Sequence, residues 1–544
     1  MADALNQQQK TKPNQDDASR SVVVQALFMA MGTLTSRVLG LVREVLFAAL
    51  FSRAITDSWY AAFRLPNIFR RLLGEGSLSV SFIPVFVEAQ MESSARARNL
   101  VNSFYTLFLI VISALTAAGI FGAETILPYL LDEAFLSQPE RREMVLRMSQ
   151  IMFGYVFLVC TYAYFMAILN ALGKFGWPAL APTFFNIAMV ASTLIPIHYL
   201  GWPGQALSWG VIVGGALQMA VLLPSLHRLG YLPVFSFNFW NRDVLRVLRA
   251  MGPGLLGMGL LQITTLVNMN FASSLGEGPI SYLNLADRLM ELPLSLVSVS
   301  IGTALLPTLS RLWSEERKTM MIETADEYFR LNLFICLPAA VGLFCLARPI
   351  VELLFERGEF RSFETEIVAS VIRVYSVIMI FTSSVRVFVP AFYAIKNTWL
   401  PAGVSVVCLL LHIYIAPMLM ETWGLTGLNL STLISVTLNW ILLLIAFRIL
   451  IGSFPWTSLL WSMLKWSVPL AGLFVWLQSY SFSRYLVGDT FIMKMLVLAF
   501  TIAVGVIIFA VLSYYMSVSE FKNTSEIFVR KLRRRYPRWF KGEA

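Results

Sequence analysis

Ser36-Arg37-Val38-Leu39-Gly40-Leu41-Val42-Arg43-Glu44 lies inside an apolar run that extends from Val22 to Phe51. Crossing a bilayer takes about 20 apolar residues, so the run is long enough to span one. An arginine at mid-bilayer costs roughly 2.5–3.5 kcal/mol on insertion scales, so it normally faces a polar cavity and not lipid. The next apolar segment repeats the pattern with Arg64-Leu65-Pro66-Asn67-Ile68-Phe69-Arg70-Arg71. Far downstream a third carries Ala286-Asp287-Arg288-Leu289-Met290-Glu291. Guanidinium groups match phosphate and carboxylate with paired donors. Together these segments imply a cationic cavity within the membrane and an anionic cargo.

The surrounding composition agrees. Apolar residues make up 57% of the 544, charged residues only 14%, and mean hydropathy is +0.69, which describes an integral membrane protein. Fourteen apolar segments are legible, with approximate limits 22–52, 57–90, 99–131, 143–171, 177–199, 204–225, 246–275, 281–312, 327–347, 367–394, 399–420, 425–450, 459–481 and 492–518. The first twenty residues are polar, so no cleavable leader is expected. With the N-terminus in the cytoplasm, about 24 basic residues fall inside and about nine outside, which predicts an even number of spans and two cytoplasmic termini. The net charge of +10 is then mostly a topology signal. The tail Arg530-Lys531-Leu532-Arg533-Arg534-Arg535 reads as attracted to anionic headgroups, not to nucleic acid. Cys160, Cys336, Cys345 and Cys408 lie in apolar segments and read as small core residues. His198, His227 and His412 form no metal-ligand spacing, and no nucleophile or phosphate-loop motif is present, so the chain does not read as an enzyme.

A weak repeat organises the spans. Arg64 and Arg288 are 224 residues apart, Pro84 and Pro307 are 223 apart, and so are Pro178 and Pro401. Trp202 and Trp423, like Gln218 and Asn439, are 221 apart. One period holds six spans, so both copies keep one orientation, a known transporter plan with the substrate site between lobes. The fold expected is an all-α polytopic membrane protein with about 14 transmembrane helices, two parallel six-helix lobes and two extra C-terminal helices. Its parts are a disordered segment 1–20, an N-lobe 21–227, a cytoplasmic interfacial linker 228–245, a C-lobe 246–450, a further pair of spans 451–518 and a basic cytoplasmic tail 519–544. The linker earns its description from Tyr231, Phe235, Phe237, Phe239 and Trp240 with flanking arginines. In the seventh span, Met251-Gly252-Pro253-Gly254-Leu255-Leu256-Gly257-Met258-Gly259 predicts a bend or hinge; its small residues would also serve close helix packing. In the last two spans, Leu473, Phe474, Trp476, Leu496, Leu498 and Phe500 are expected to present apolar surface.

Each charged group has a plainer reading. Arg37 and Arg43 can snorkel to an interface, and Glu44 can neutralise a neighbouring arginine. Arg70-Arg71 can mark a helix end, although the apolar pattern resumes beyond it and Gly74, Gly76, Pro66 and Pro84 favour a bent helix. Arg288 and Glu291 can pair across one turn. Arg373 and Arg386 lie closer to possible helix ends.

The same residues resemble the MurJ (MviN) family of lipid II flippases, within the multidrug/oligosaccharidyl-lipid/polysaccharide exporter superfamily. The resemblance rests on the motifs Ser36–Glu44, Thr56-Asp57, Phe63-Arg64-Leu65-Pro66-Asn67, Arg70-Arg71, Gly74-Glu75-Gly76, Phe82-Ile83-Pro84, Ala286–Glu291, Phe355-Glu356-Arg357-Gly358-Glu359-Phe360 and Pro390–Ala394. It covers roughly 22–450. It implies a flippase moving the undecaprenyl-pyrophosphate-linked peptidoglycan precursor, lipid II, from the cytoplasmic to the periplasmic leaflet by alternating access. It also implies that Arg43, Arg70 and Arg288 engage the headgroup from one water-accessible cavity, with Arg37, Asp57, Asn67 and Glu291 as further substrate-binding positions. The last two spans would bound a groove for the lipid tail. No cofactor is expected beyond a coupling ion, sodium or proton, or the membrane potential; the metal ligands are unknown, with Asn268 and Asn439 as polar candidates. The implied location is the bacterial inner membrane, with membrane lipids and cell-wall synthesis or division machinery as partners and no nucleic acid. The alternative function is a related exporter of another lipid-linked oligosaccharide or of drugs.

Overall fold

The computed structural model describes residues 15–195, 201–295, 300–480, 490–522 and 525. Helices dominate these residues, and no strand occurs among them. Among the described residues, eight helices are long and apolar enough to cross a membrane: Ser94–Leu130, Pro139–Ala171, Gln205–Leu229, Lys318–Phe355, Ser362–Ala394, Trp399–Leu450, Trp456–Gln478 and Phe491–Tyr515. Helices suit this setting because every backbone donor finds its acceptor within the same segment. Two more long helices, Gln15–Leu50 and Arg242–Ser274, carry the first arginine pair and the glycine-rich stretch. The first helix already begins at Gln15, inside the segment expected to be disordered; residues 1–14 and nearly all of the basic tail lie outside the described residues.

Trp399–Leu450 is a hairpin, not one 52-residue rod. Gly424 takes φ 53° and ψ −129°, a conformation that suits glycine, and the chain reverses there. Polar contacts then run up the two arms in antiparallel register. His412 Nδ1 meets Ser431 Oγ at 3.0 Å, Ser435 Oγ donates to the Cys408 carbonyl at 2.8 Å, and Asn439 Nδ2 donates to Ser405 Oγ at 3.3 Å. The arms approach closely at Gly427, where a Cβ would sit 2.0 Å from the Leu419 carbonyl oxygen. The arms correspond to the segments 399–420 and 425–450 read from hydropathy.

Contacts divide the chain into two units, Met1–Gly278 and Pro279–Ala544. In the first, Pro139–Ala171 packs against Arg53–Phe69, Ser94–Leu130 and Gln205–Ala220, while Gln15–Leu50 packs against Gly176–Thr193. Small residues permit these approaches, as at Gly32 against Ala179 and Gly214 against Phe185. The linker after Leu229 is extended, its Val234 and Ser236 amides donating to Asn102 Oδ1 and Thr106 Oγ1. Phe235, Phe237 and Trp240 are exposed along it. In the second unit, Lys318–Phe355, Ser362–Ala394 and the final helices share an apolar core that includes Phe329, Phe388, Phe447 and Trp466.

Arg242–Ser274 packs within the first unit, on the segments Arg70–Ser77, Leu78–Glu92 and Ser94–Leu130. The repeat counts this helix with the second lobe. Both of its ends are fastened. At the start, Arg96 donates to Asp243 at 2.6 and 2.8 Å, and Arg246 donates to Glu88 at 2.7 and 2.8 Å. The Arg96 hydrogen bond holds the Asp243 carboxyl below the ordinary carboxylate range. At the far end, Ser273 Oγ accepts from the Asp132 amide at 2.7 Å, and just beyond the helix Asp57 accepts from the Gly278 amide at 2.6 Å. Between these ends the helix runs unbroken through Gly252–Gly259. A Cβ added at Gly252 or Gly259 would meet nothing within 4 Å, so close packing does not require glycine at either position.

That combination predicts the outcome of stiffening the middle. Gly252→Ala with Gly259→Ala fits the present conformation and raises helix propensity by about 1 kcal/mol per site. The double variant is expected to melt no lower than the parent while transporting more slowly. Equal transport in a reconstituted assay would show that this helix does not bend during the cycle.

Candidate functional site

The second span is built around an irregularity. Arg53–Phe69 and Leu78–Glu92 are joined by a π-helical segment, Arg70–Ser77, so the chain stays helical but widens where the two arginines enter. The sequence already carries the cause: Pro66 withholds a backbone donor, and glycines at 74 and 76 weaken the following turn. π-helical turns concentrate at functional sites because they re-aim side chains. Arg70 opens the segment, partly buried, and its Nε donates to Asn67 Oδ1 at 2.8 Å. Asn67 therefore orients Arg70.

Arg43 is 4% exposed and sits in a closed polar knot. Its Nη2 donates to Glu44 Oε1 at 2.5 Å and its Nη1 to Asn186 Oδ1 at 3.3 Å. Tyr60 Oη donates to the other oxygen of Glu44. Asn186 Nδ2 donates in turn to the Ser36 carbonyl at 2.9 Å and Ser36 Oγ at 3.2 Å, tying Gly176–Thr193 to Gln15–Leu50. The expectation that Arg43 stands open to water does not hold in this conformation, because its immediate neighbour neutralises it and Asn186 covers it. One nitrogen, Nε, is buried without a hydrogen bond.

An aromatic frame surrounds the knot. Trp59 meets Phe47 edge-on at 4.9 Å and stacks on Phe63 at 4.9 Å, while Tyr155 contacts Phe63 at 5.5 Å and Phe185 at 5.3 Å. Tyr155 lies within electrostatic reach of both Arg70 and Arg43. Arg37, two turns before Arg43, is exposed. Asp57 is 1% exposed and spent on the Gly278 amide, as Glu277 is on the Ala54 amide at 2.9 Å and on Arg141. Asp57 thus contacts the protein's own turn, whose Gly278 sits at φ 107°.

In the second unit, Arg288 and Glu291 are both exposed and pair at 3.6 Å on Pro279–Leu294. Glu291 also acts electrostatically on Arg386 of Ser362–Ala394. The same helix pair is pinned by Tyr282 Oη donating to Glu364 at 2.9 Å. Of the two polar candidates for an ion, Asn439 faces Ser405 and Asn268 lies in the first unit. No group of three or more His, Cys, Asp or Glu suited to a metal occurs among the described residues. Tyr60, Tyr155 and Asn186 escaped the sequence reading. A lone asparagine in the apolar stretch 176–193 is the signal that marks Asn186.

The last two helices pack on each other through Gly472 against Leu512 and Gly505 against Leu473, with Trp476 Nε1 donating to the Thr501 carbonyl at 2.9 Å. Phe474, Leu496 and Phe500 present apolar surface as expected. Leu473 and Leu498 do not: both are buried in the core of the second unit, because the pair docks on Lys318–Phe355 along that face. Lys494 bonds Glu352 at 3.0 Å, and Arg357 lies 5.1 Å over the Phe491 ring at the same end.

Comparison with known proteins gives consistent results. The sequence profile of the family described as lipid II flippase MurJ matches residues 46–497. A probable lipid II flippase MurJ of Bdellovibrio bacteriovorus is 46% identical over 503 residues, covering 92% of this chain and 96% of the relative. The lipid II flippase MurJ of Burkholderia cenocepacia is 32% identical over 457 residues, covering 82% of this chain and 88% of its own. A solved lipid II flippase MurJ in an inward closed conformation superposes with TM-score 0.73 at 25% identity, covering 93% of this chain and 99% of that one. An inward-facing multidrug MATE transporter shares the fold, with TM-score 0.64 at 17% identity over 76% of this chain.

The knot around Arg43 makes a quantitative expectation. Glu44→Gln leaves a buried guanidinium without its countercharge, a change that typically costs about 3–5 kcal/mol. The double change Arg43→Gln with Glu44→Gln should recover much of that stability while losing transport. Thermal melts of the single and double variants in detergent measure the coupling; additive losses would mean that the pair is not a unit.

Proposed function

The chain belongs to the lipid II flippase MurJ family, and from that premise we propose that it moves lipid II from the cytoplasmic to the periplasmic leaflet of the bacterial inner membrane by alternating access. The observation that carries the reading is the family match over residues 46–497 together with arginines set into membrane helices at an irregular turn. A pyrophosphate headgroup pays a large penalty in hydrocarbon. Arg43, Arg70 and Arg288 replace its water with paired donors, which suit phosphate oxygens. Arg37 is a further contact of this kind. Asn67 keeps Arg70 aimed, and Glu291 holds Arg288 until the headgroup competes for it. Asp57 contributes at one remove, by fixing the turn at Gly278.

In this scheme the protein is a carrier and not an enzyme: no bond of the cargo changes. Its isoprenoid tail never needs to leave apolar surroundings, and the exposed apolar side chains of Trp456–Gln478 and Phe491–Tyr515 provide a surface for it. Both termini lie in the cytoplasm, as the basic-residue asymmetry favours. A coupling ion or the membrane potential drives the return step, and cell-wall synthesis enzymes supply the cargo.

Depletion of the protein is expected to accumulate lipid-linked precursor in the cytoplasmic leaflet, read by its inaccessibility to an external probe. Arg288→Lys should complement growth poorly and Arg288→Ala not at all, because lysine keeps the charge but loses the planar fork. Full complementation by lysine at positions 43, 70 and 288 together would reduce the requirement to charge alone.

A further inference from the structure

The extended linker between Leu229 and Arg242 does more than connect helices. Its partners on Ser94–Leu130 map its path. Gly230 lies beside the Arg98 guanidinium, the Val234 amide donates to Asn102 Oδ1 at 2.9 Å, and the Ser236 amide donates to Thr106 Oγ1 at 2.8 Å. Ser236 Oγ meets Ser103 Oγ at 3.2 Å, and the Phe235 ring lies 6.4 Å from that of Tyr105. Asp243 then returns to Arg96. The linker thus climbs the helix from Arg98 to Thr106, a rise of about 12 Å, and comes back down.

The helix it climbs fixes its depth. Between Arg98 and Glu124 that helix carries no charge. A hydrocarbon core takes about 20 residues of helix. Centred on the uncharged stretch, it begins near Val101, and Thr106 lies about 7 Å inside its edge. Asn102, Thr106 and Ile110 stand four residues apart on one stripe of the helix, and Ile110 is exposed. The tip of the loop therefore ends where the lipid-facing surface of the helix begins. Interfacial amphipathic helices sink about 5–10 Å into a membrane, so the tip reaches a like depth.

Its side chains suit that place. Phe235, Phe237 and Trp240 are 69%, 75% and 83% exposed. Two amides that an extended chain would leave open to lipid are bonded to Asn102 and Thr106. At the base of the loop Arg98, Arg228 and Arg242 are exposed. Nearby carboxylates are already taken, Glu92 and Asp243 by Arg96 and Glu88 by Arg246. An apolar tip above a cationic base matches acyl chains below anionic headgroups. A soluble partner would have to reach the same tip through the headgroups.

We propose that the linker is a lipid-binding anchor: Phe235, Phe237 and Trp240 insert at the boundary between headgroups and acyl chains, and Arg98, Arg228 and Arg242 hold the phosphates of anionic lipids around them. Bound lipid keeps the start of Arg242–Ser274 at a constant depth and stabilises this end of the first unit. The inference does not depend on which cargo the protein moves.

The test uses the purified full-length protein in phosphatidylcholine vesicles with and without phosphatidylglycerol. Subtracting the emission of Trp240→Phe isolates Trp240 from the other tryptophans. That share should be quenched by lipid brominated high on its acyl chains and shielded from aqueous iodide. Phe237→Trp, added to Trp240→Phe, should respond to brominated lipid more strongly, because it lies nearer the tip. Quenching of either position by iodide and not by brominated lipid would leave this face to a protein partner and overturns the proposal. Thermal unfolding reads the arginines. Phosphatidylglycerol should raise the Tm of wild type by about 2 °C or more. The triple variant Arg98→Gln, Arg228→Gln and Arg242→Gln should lose most of that rise; Arg228→Gln with Arg242→Gln replaces it should it not fold. Equal responses of wild type and variant to the anionic lipid also overturn the proposal.

Discussion

A guanidinium group in a membrane helix has to be matched by something other than lipid, and the described structure is organised by how each one is matched. Arg43 is closed into Glu44 and Asn186; Arg70 is aimed by Asn67; Arg288 leans on Glu291. These are three degrees of commitment. A buried pair is expensive to break, while an exposed pair is weak and easily exchanged for a better anion. The series runs from a scaffold charge that holds helices together to a charge ready to trade partners. Arg43 thus has a structural duty in this conformation that any role in cargo binding has to displace.

Backbone irregularity follows the same logic. Membrane helices cannot leave donors and acceptors open to hydrocarbon, so a change of direction has to stay nearly helical or occur where the chain turns back. The π segment Arg70–Ser77 is the first solution, and the reversal at Gly424 is the second. Arg242–Ser274 shows a third arrangement, with ion pairs and hydrogen bonds at its ends and open space around two glycines in between. A helix held at both ends stores any bending in its middle.

The final helices use polar contacts at their ends as well, Lys494 with Glu352 at one and Glu520 with Trp466, Ser462 and Arg330 at the other. Between them the contact with Lys318–Phe355 is apolar. Apolar contact alone gives little orientation in lipid, since lipid tails satisfy the same surface. Polar ends therefore set where this pair docks.

Hydropathy and charge are local properties, and what depends on them was legible in the chain: a helical membrane protein, the separation of 399–420 from 425–450, the weakness of the second span around Pro66 and Gly74, and the pairing of Arg288 with Glu291 within one turn. Partners distant in sequence were not legible, because which side chains meet is decided by how helices pack. Asn186 reaches Arg43 across 143 positions, and Asp57 reaches Gly278 across 221. The same holds for Leu473 and Leu498, which look like any lipid-facing leucine until a neighbouring helix covers them. Asp326 carried no signal at all, since an acid near a helix start reads as a solvated end, yet packing within the second unit leaves it 4% exposed.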